Sequence, residues 1–142
     1  MKTKYQIQDF MTKCPQSIRP DETLGAAKGI MTKMKFRHLP VVDGSQIIGV
    51  LSERDVKWAG SVFLDDEFDD LLVEDICIVE PYVVKSDELL VNVVKKMANR
   101  KIGSALVVKD GELVGIFTEV DAYLALSTIL ETKETVQLSD VI

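Results

Sequence analysis

The chain has 142 residues, 46% of them apolar, and 17 Lys plus Arg against 23 Asp plus Glu, a formal charge of -6. That is enough chain to bury a core without disulfides, and the composition excludes a disordered or low-complexity polymer. The acidic balance argues against nucleic acid or an anionic membrane, and neither is expected as a partner; the charge is unevenly spread, with five of the acids and no base within 60–72, so it rules out little about cationic rims elsewhere.

Lys2 and Lys4 are followed by polar residues rather than an apolar run, so no secretory signal is read, and no aliphatic stretch approaches the length of a membrane span. A soluble, cytoplasmic protein is expected. Cys14 and Cys77 stand apart, there is no CxxC and one histidine, so reduced thiols are expected rather than a zinc site.

Residues 7 to 59 align with 73 to 125 at a constant offset of 66 without a gap. Identities include Asp9/Asp75, Leu24/Leu90, Met31/Met97, Gly49/Gly115 and Asp55/Asp121. A repeat of this length means two copies of one supersecondary unit. Leu24, Ala27, Ile30, Met31 and Met34 recur at helical spacing, as do Leu90, Val93, Val94 and Met97, with Asp21 and Asp87 as expected N-caps. Apolar runs follow at 39–42 and 47–51, and at 105–108 and 113–117, separated by Asp43-Gly44 and Asp110-Gly111, which predicts a strand pair in each copy. A further helix begins at Ser52 and at Thr118. Extended pieces near Ser17-Ile18 and Tyr82-Val84 complete a β-α-β-β-α order. The expected fold is α+β, two tandem repeats packed as a pseudo-two-fold pair: repeat 1 at 7–59, an acidic linker at 60–72, repeat 2 at 73–130 and a tail at 131–142. Phe63, Leu64, Phe68 and Leu71 indicate that the linker packs.

Gly49-Val50-Leu51-Ser52-Glu53-Arg54-Asp55 and Gly115-Ile116-Phe117-Thr118-Glu119-Val120-Asp121, with the segments 36–42 and 102–108 and the lead-ins 7–11 and 73–76, resemble the tandem CBS-domain pair, or Bateman module. The resemblance spans roughly residues 5 to 130. It implies a non-enzymatic regulatory module that needs no cofactor. Such a module binds an adenosine-containing ligand (AMP, ADP, ATP or S-adenosylmethionine) in clefts between the copies, forms a homodimer and signals to an effector protein. On this resemblance Asp55 and Asp121 accept the ribose hydroxyls, and Ser52 and Thr118 donate to phosphate. Arg37, His38 and Lys35 or Lys101 meet a phosphate chain, and the base lies near Ile18, Pro40, Val84 and Leu106. Chemically, an ionised carboxylate accepts from two vicinal hydroxyls, and a helix start offers free N–H groups to an anion.

The residues themselves leave a second reading open. Ser-x-x-Asp and Thr-x-x-Asp also spell a capping box, and a ligand-free dimeric interaction module would need no more than that. Gly103-Ser104 and Val120 replace Arg37-His38 and Arg54, which reads as one copy having lost its cations. Most other lysines read as a solvated helix face, and Trp58 as core or interface packing. Tyr123, Leu124, Leu126, Ile129 and Leu130 make the last helix apolar beyond one core face, a candidate dimer seam.

Overall fold

The computed structural model describes residues 4–13 and 16–141, with side chains through residue 133; Cys14 lies outside the described residues. A 3-10 turn at Ile7–Asp9 leads into β1 (Thr12–Lys13), followed by α1 (Leu24–Met34), β2 (His38–Asp43), β3 (Gln46–Ser52) and α2 (Glu53–Val62). Next come α3 (Asp65–Asp70), α4 (Val73–Ile76), β4 (Val83–Lys85), α5 (Leu90–Arg100), β5 (Ser104–Lys109), β6 (Glu112–Thr118) and α6 (Glu119–Val141). β2 and β3 pair antiparallel, as do β5 and β6, each with a register shift at the equivalent step, Val41/Val42 and Val107/Val108.

The two hairpins sit under two cores. Leu24, Ala27, Met31, Leu39, Val41 and Leu51 anchor one; Leu90, Val93, Met97, Ala105, Val107 and Phe117 anchor the other. The helical spacing read in sequence therefore marks the buried faces of α1 and α5.

The lead-ins are exchanged. Ile7, at the start of repeat 1, is fully buried in the core of repeat 2, and Val73, at the start of repeat 2, is fully buried in the core of repeat 1. The backbone shows the same crossing twice. The amide of Ile7 donates to the carbonyl of Glu88 at 2.8 Å, and that of Val73 to Glu22 at 2.9 Å. β1 pairs with β6, while Ile78 and Val50 exchange two hydrogen bonds at 3.1 and 2.9 Å.

This exchange accounts for the helix starts. Asp21 and Asp87 are not the N-caps: α1 is capped by Thr23, whose hydroxyl accepts from the Ala26 amide, and α5 starts after Leu89 without a side-chain cap. The crossing chain does part of the work, because the amides of Leu24 and Leu90 donate to the carbonyls of Leu71 and Tyr5, satisfying groups a helix start leaves unpaired. Asp21 pairs instead with Arg19.

Within the acidic linker, α3 packs on repeat 1 through buried Phe68, and Lys28 lies over its ring at 5.3 Å; Leu64 points to solvent. The segment set apart as a tail continues α6 through Val141.

Candidate functional site

Two clefts lie where a strand-to-helix junction of one repeat faces the lead-in and helix end of the other. In the first, Thr118 and Asp121 meet Lys35, Arg37 and His38 across from Thr12, around about 240 Å³. In the second, Ser52 and Asp55 meet Lys101, Gly103 and Ser104 across from Ile78, around about 1000 Å³. These sets are related by the offset of 66, so the pairing of halves is crossed: Arg37 lines the first cleft with Asp121, and His38 lines both clefts.

The crossing changes how the cations are shared. Repeat 2 lacks counterparts of Arg37, His38 and Arg54, but neither cleft is left without basic residues. The first holds Lys35 and Arg37; the second holds Arg54, Lys96, Arg100 and Lys101. Lys96 and Arg100, read in sequence as a solvated helix face, project from the last turns of α5 into the cleft, with Lys96 Nζ 4.8 Å from the Tyr82 ring centre. Burial, ahead of the nearby Glu88, pushes the Tyr82 hydroxyl above its ordinary range. Trp58 is not core: it is 57% exposed and stands on the rim of the second cleft, one turn beyond Asp55.

Both junctions are helix caps as well as cleft walls. The Ser52 hydroxyl donates to Asp55 Oδ2 at 2.8 Å and accepts from the Asp55 amide at 3.1 Å, while the Ser52 amide donates to the same carboxylate. The Ser52 proton is therefore spent on the cap rather than offered to the cleft. At the other junction Asp121 Oδ2 accepts from the Thr118 amide at 2.9 Å. The two carboxylates differ in their second oxygen. Asp121 Oδ1 accepts from the Thr12 hydroxyl at 3.1 Å, whereas Asp55 Oδ1 has no hydrogen bond among the described residues.

Close approach requires the junction glycines. A Cβ at Gly49 would collide with the Ile78 carbonyl, and one at Gly115 would meet Met11 and lie 2.9 Å from the Thr12 carbonyl. The glycine of the motif thus lets the exchanged lead-in lie across the strand.

His38 and Glu119 line both clefts and form part of the wall between them. His38 Nδ1 is buried without a hydrogen-bond partner among the described residues, and a Cβ at Gly103 would stand 3.2 Å from its Nε2. Burial lowers the imidazole pKa below its ordinary 6.5, with Glu119 acting in the opposite sense. Outside the clefts, Glu53 pairs with Lys57 at 2.7 Å and Arg37 at 3.7 Å, which holds its carboxyl below the usual range, Lys57 contributing most.

The four residues near which a base was expected turn their side chains inward. Ile18 and Val84 belong to the cores, and Pro40 and Leu106 are fully buried; none lines either cleft. Strand alternation is the reason at β4: Val84 turns inward, so its neighbour Val83, 41% exposed, faces the cleft. The apolar cleft surface comes from Ile116 on one side and from Val50, Ile78 and Val83 on the other.

A CBS-domain family model matches residues 7–60 and 73–128, the two repeats. The chain belongs to the CBS-domain family. A putative acetoin utilization protein (AcuB) from Vibrio cholerae superposes with a TM-score of 0.83 at 27% identity, covering 94% of this chain and 98% of that one. CBSX2 in complex with AMP superposes at 0.77 with 26% identity, covering 88% and 98%. The inosine-5'-monophosphate dehydrogenase of Korarchaeum cryptofilum is 28% identical over 130 residues, 91% of this chain. The CBS chain spans only 26%, 34% and 30% of the length of the three curated relatives first matched. No helix among the described residues is long and apolar enough to cross a membrane.

Proposed function

We propose that the protein is a regulatory, non-catalytic module that takes an adenosine-containing ligand between its CBS repeats and passes the resulting change to an effector protein. The observation that carries this reading is the crossed construction of the clefts. Each places a carboxylate at a helix start of one repeat against a basic helix end and a lead-in of the other, so a ligand held there touches both repeats at once. The AMP held by CBSX2, of similar fold and 26% identical, supports the ligand class. A ligand bound only by the native state raises the melting temperature by mass action. AMP, ADP, ATP and S-adenosylmethionine at millimolar concentration should therefore shift the melting curve, and Asp55→Ala with Asp121→Ala should remove the shift. No shift with any of the four would sink the reading.

The complete capping box at Ser52 favours a second reading, a ligand-free interaction module. Its surface would be α6, where Tyr123 (66% exposed), Leu124 and Leu126 face outward, the proposed homodimer seam. Partner capture insensitive to both aspartate substitutions would favour it over the first.

A further inference from the structure

We infer that the two clefts are not equivalent, and that the second selects, with one equivalent per chain, an adenosine ligand bearing two or more phosphates. This rests on the adenosine reading above and narrows it. Three differences at equivalent positions favour a longer phosphate chain in the second cleft, and the one that counts the other way, Arg37 in place of Gly103, is offset by an ion pair. Arg54 stands where the first cleft has Val120, and Tyr82 where it has Gln16. Asp55 keeps an oxygen open to a hydroxyl, whereas Asp121 has given its own to Thr12. Arg37, one of the two first-cleft cations other than His38, leans toward Glu53.

Size and charge follow the same asymmetry. The second cleft offers about 1000 Å³ of continuous space open to solvent, room for a nucleotide with an extended chain, while the first has about 240 Å³ and adjoins a separate groove of about 600 Å³ along Lys35, Phe36, Arg37 and Val120. Its Arg54, Lys96, Arg100 and Lys101 outnumber Asp55, Glu80 and Glu119, while Lys35 and Arg37 in the first cleft are balanced by Glu119 and Asp121. Guanidinium and ammonium groups on a rim partly shielded by Tyr82 and Trp58 reward each added phosphate, and they disfavour a sulfonium cation such as that of S-adenosylmethionine.

Trp58 is the chain's one tryptophan, so its emission reports on this cleft. The full chain should be titrated with AMP, ADP, ATP and S-adenosylmethionine by fluorescence and calorimetry. ATP is expected to bind at one equivalent with a saturable change in Trp58 emission, and AMP about tenfold more weakly. Arg54→Val, which installs the residue of the other repeat at an exposed position, should cut the preference for ATP over AMP; Arg100→Gln should do the same. The inference is overturned if AMP binds as tightly as ATP, if calorimetry records binding without a Trp58 response, or if both variants keep the preference. If no adenosine compound binds, the adenosine reading falls and this inference with it.

Discussion

The Thr12 hydroxyl donates to Asp121 Oδ1 at 3.1 Å, joining residues 109 positions apart in sequence. It ties the lead-in of repeat 1 to the helix start of repeat 2, and both groups reach water. Thr12→Val should therefore cost less than about 1 kcal/mol of stability. Asp121→Ala, which also removes the carboxylate that accepts from the Thr118 amide, should cost about 1–2 kcal/mol. Urea unfolding of the two variants checks the order.

The junction glycines give a second pair. At Gly49 a new methyl meets a backbone carbonyl that is hydrogen-bonded and cannot retreat, while at Gly115 it meets first the flexible side chain of Met11. Gly49→Ala should destabilise by about 1–3 kcal/mol and Gly115→Ala by less. Equal losses would show that the lead-in moves freely over both strands.

Lys35 and Lys101 end α1 and α5 with φ of 59° and 55°, a left-handed conformation that a side chain disfavours. Both face a cleft. Lys101→Gly should raise stability by about 0.5–1 kcal/mol, because glycine adopts that conformation without the Cβ clash. If Lys101 serves a ligand, the same substitution weakens binding, and the opposite signs of the two effects separate a functional lysine from a structural one.

His38 sets an acid limit on stability. Its native pKa is depressed mainly by burial, and Arg37 adds to that, while Glu119, Asp55 and Glu53 oppose it. The neutral imidazole is the form the fold prefers, so this contribution is complete above the ordinary value of 6.5. Below it, the unfolded chain takes up a proton that the native state refuses. Stability then falls until the native imidazole also titrates. Melting temperatures between about pH 7 and about pH 5 should decline, and His38→Gln should flatten that part of the curve.

The exposed face of α6 yields a test of assembly. Leu124 is 61% exposed beside Tyr123 and Leu126. Leu124→Glu should lower the sedimentation coefficient of a dimer toward that of a monomer while leaving far-ultraviolet circular dichroism unchanged.

Much of this was legible from residues alone because the repeat runs without gaps. The strand pairs, the buried faces of α1 and α5 and the carboxylates at 55 and 121 follow from local periodicity and from the offset of 66. What local pattern cannot carry is which copy a segment packs against. Ile7 looks the same in sequence whether it covers its own hairpin or the other, and the contact that decides is made with residues near 88. The same blindness displaced the helix caps from Asp21 and Asp87, and it left open how Arg37 and His38 are shared between the two clefts. The inward turn of Val84 was hidden for a smaller reason: in a three-residue strand a slip of one position exchanges inside for outside.

If the protein signals as proposed, the exchanged lead-ins restrict how the change can leave the molecule. Prising the repeats apart would strip Ile7 and Val73 from the cores that hold them and break the β1–β6 ladder, so a hinge that swings open is barred by covalent connectivity and burial alike. What stays cheap is a slight rotation of one hairpin against the other, or a loss of that freedom. On the regulatory reading proposed above, a partner would sense torsion or stiffness rather than an opened mouth.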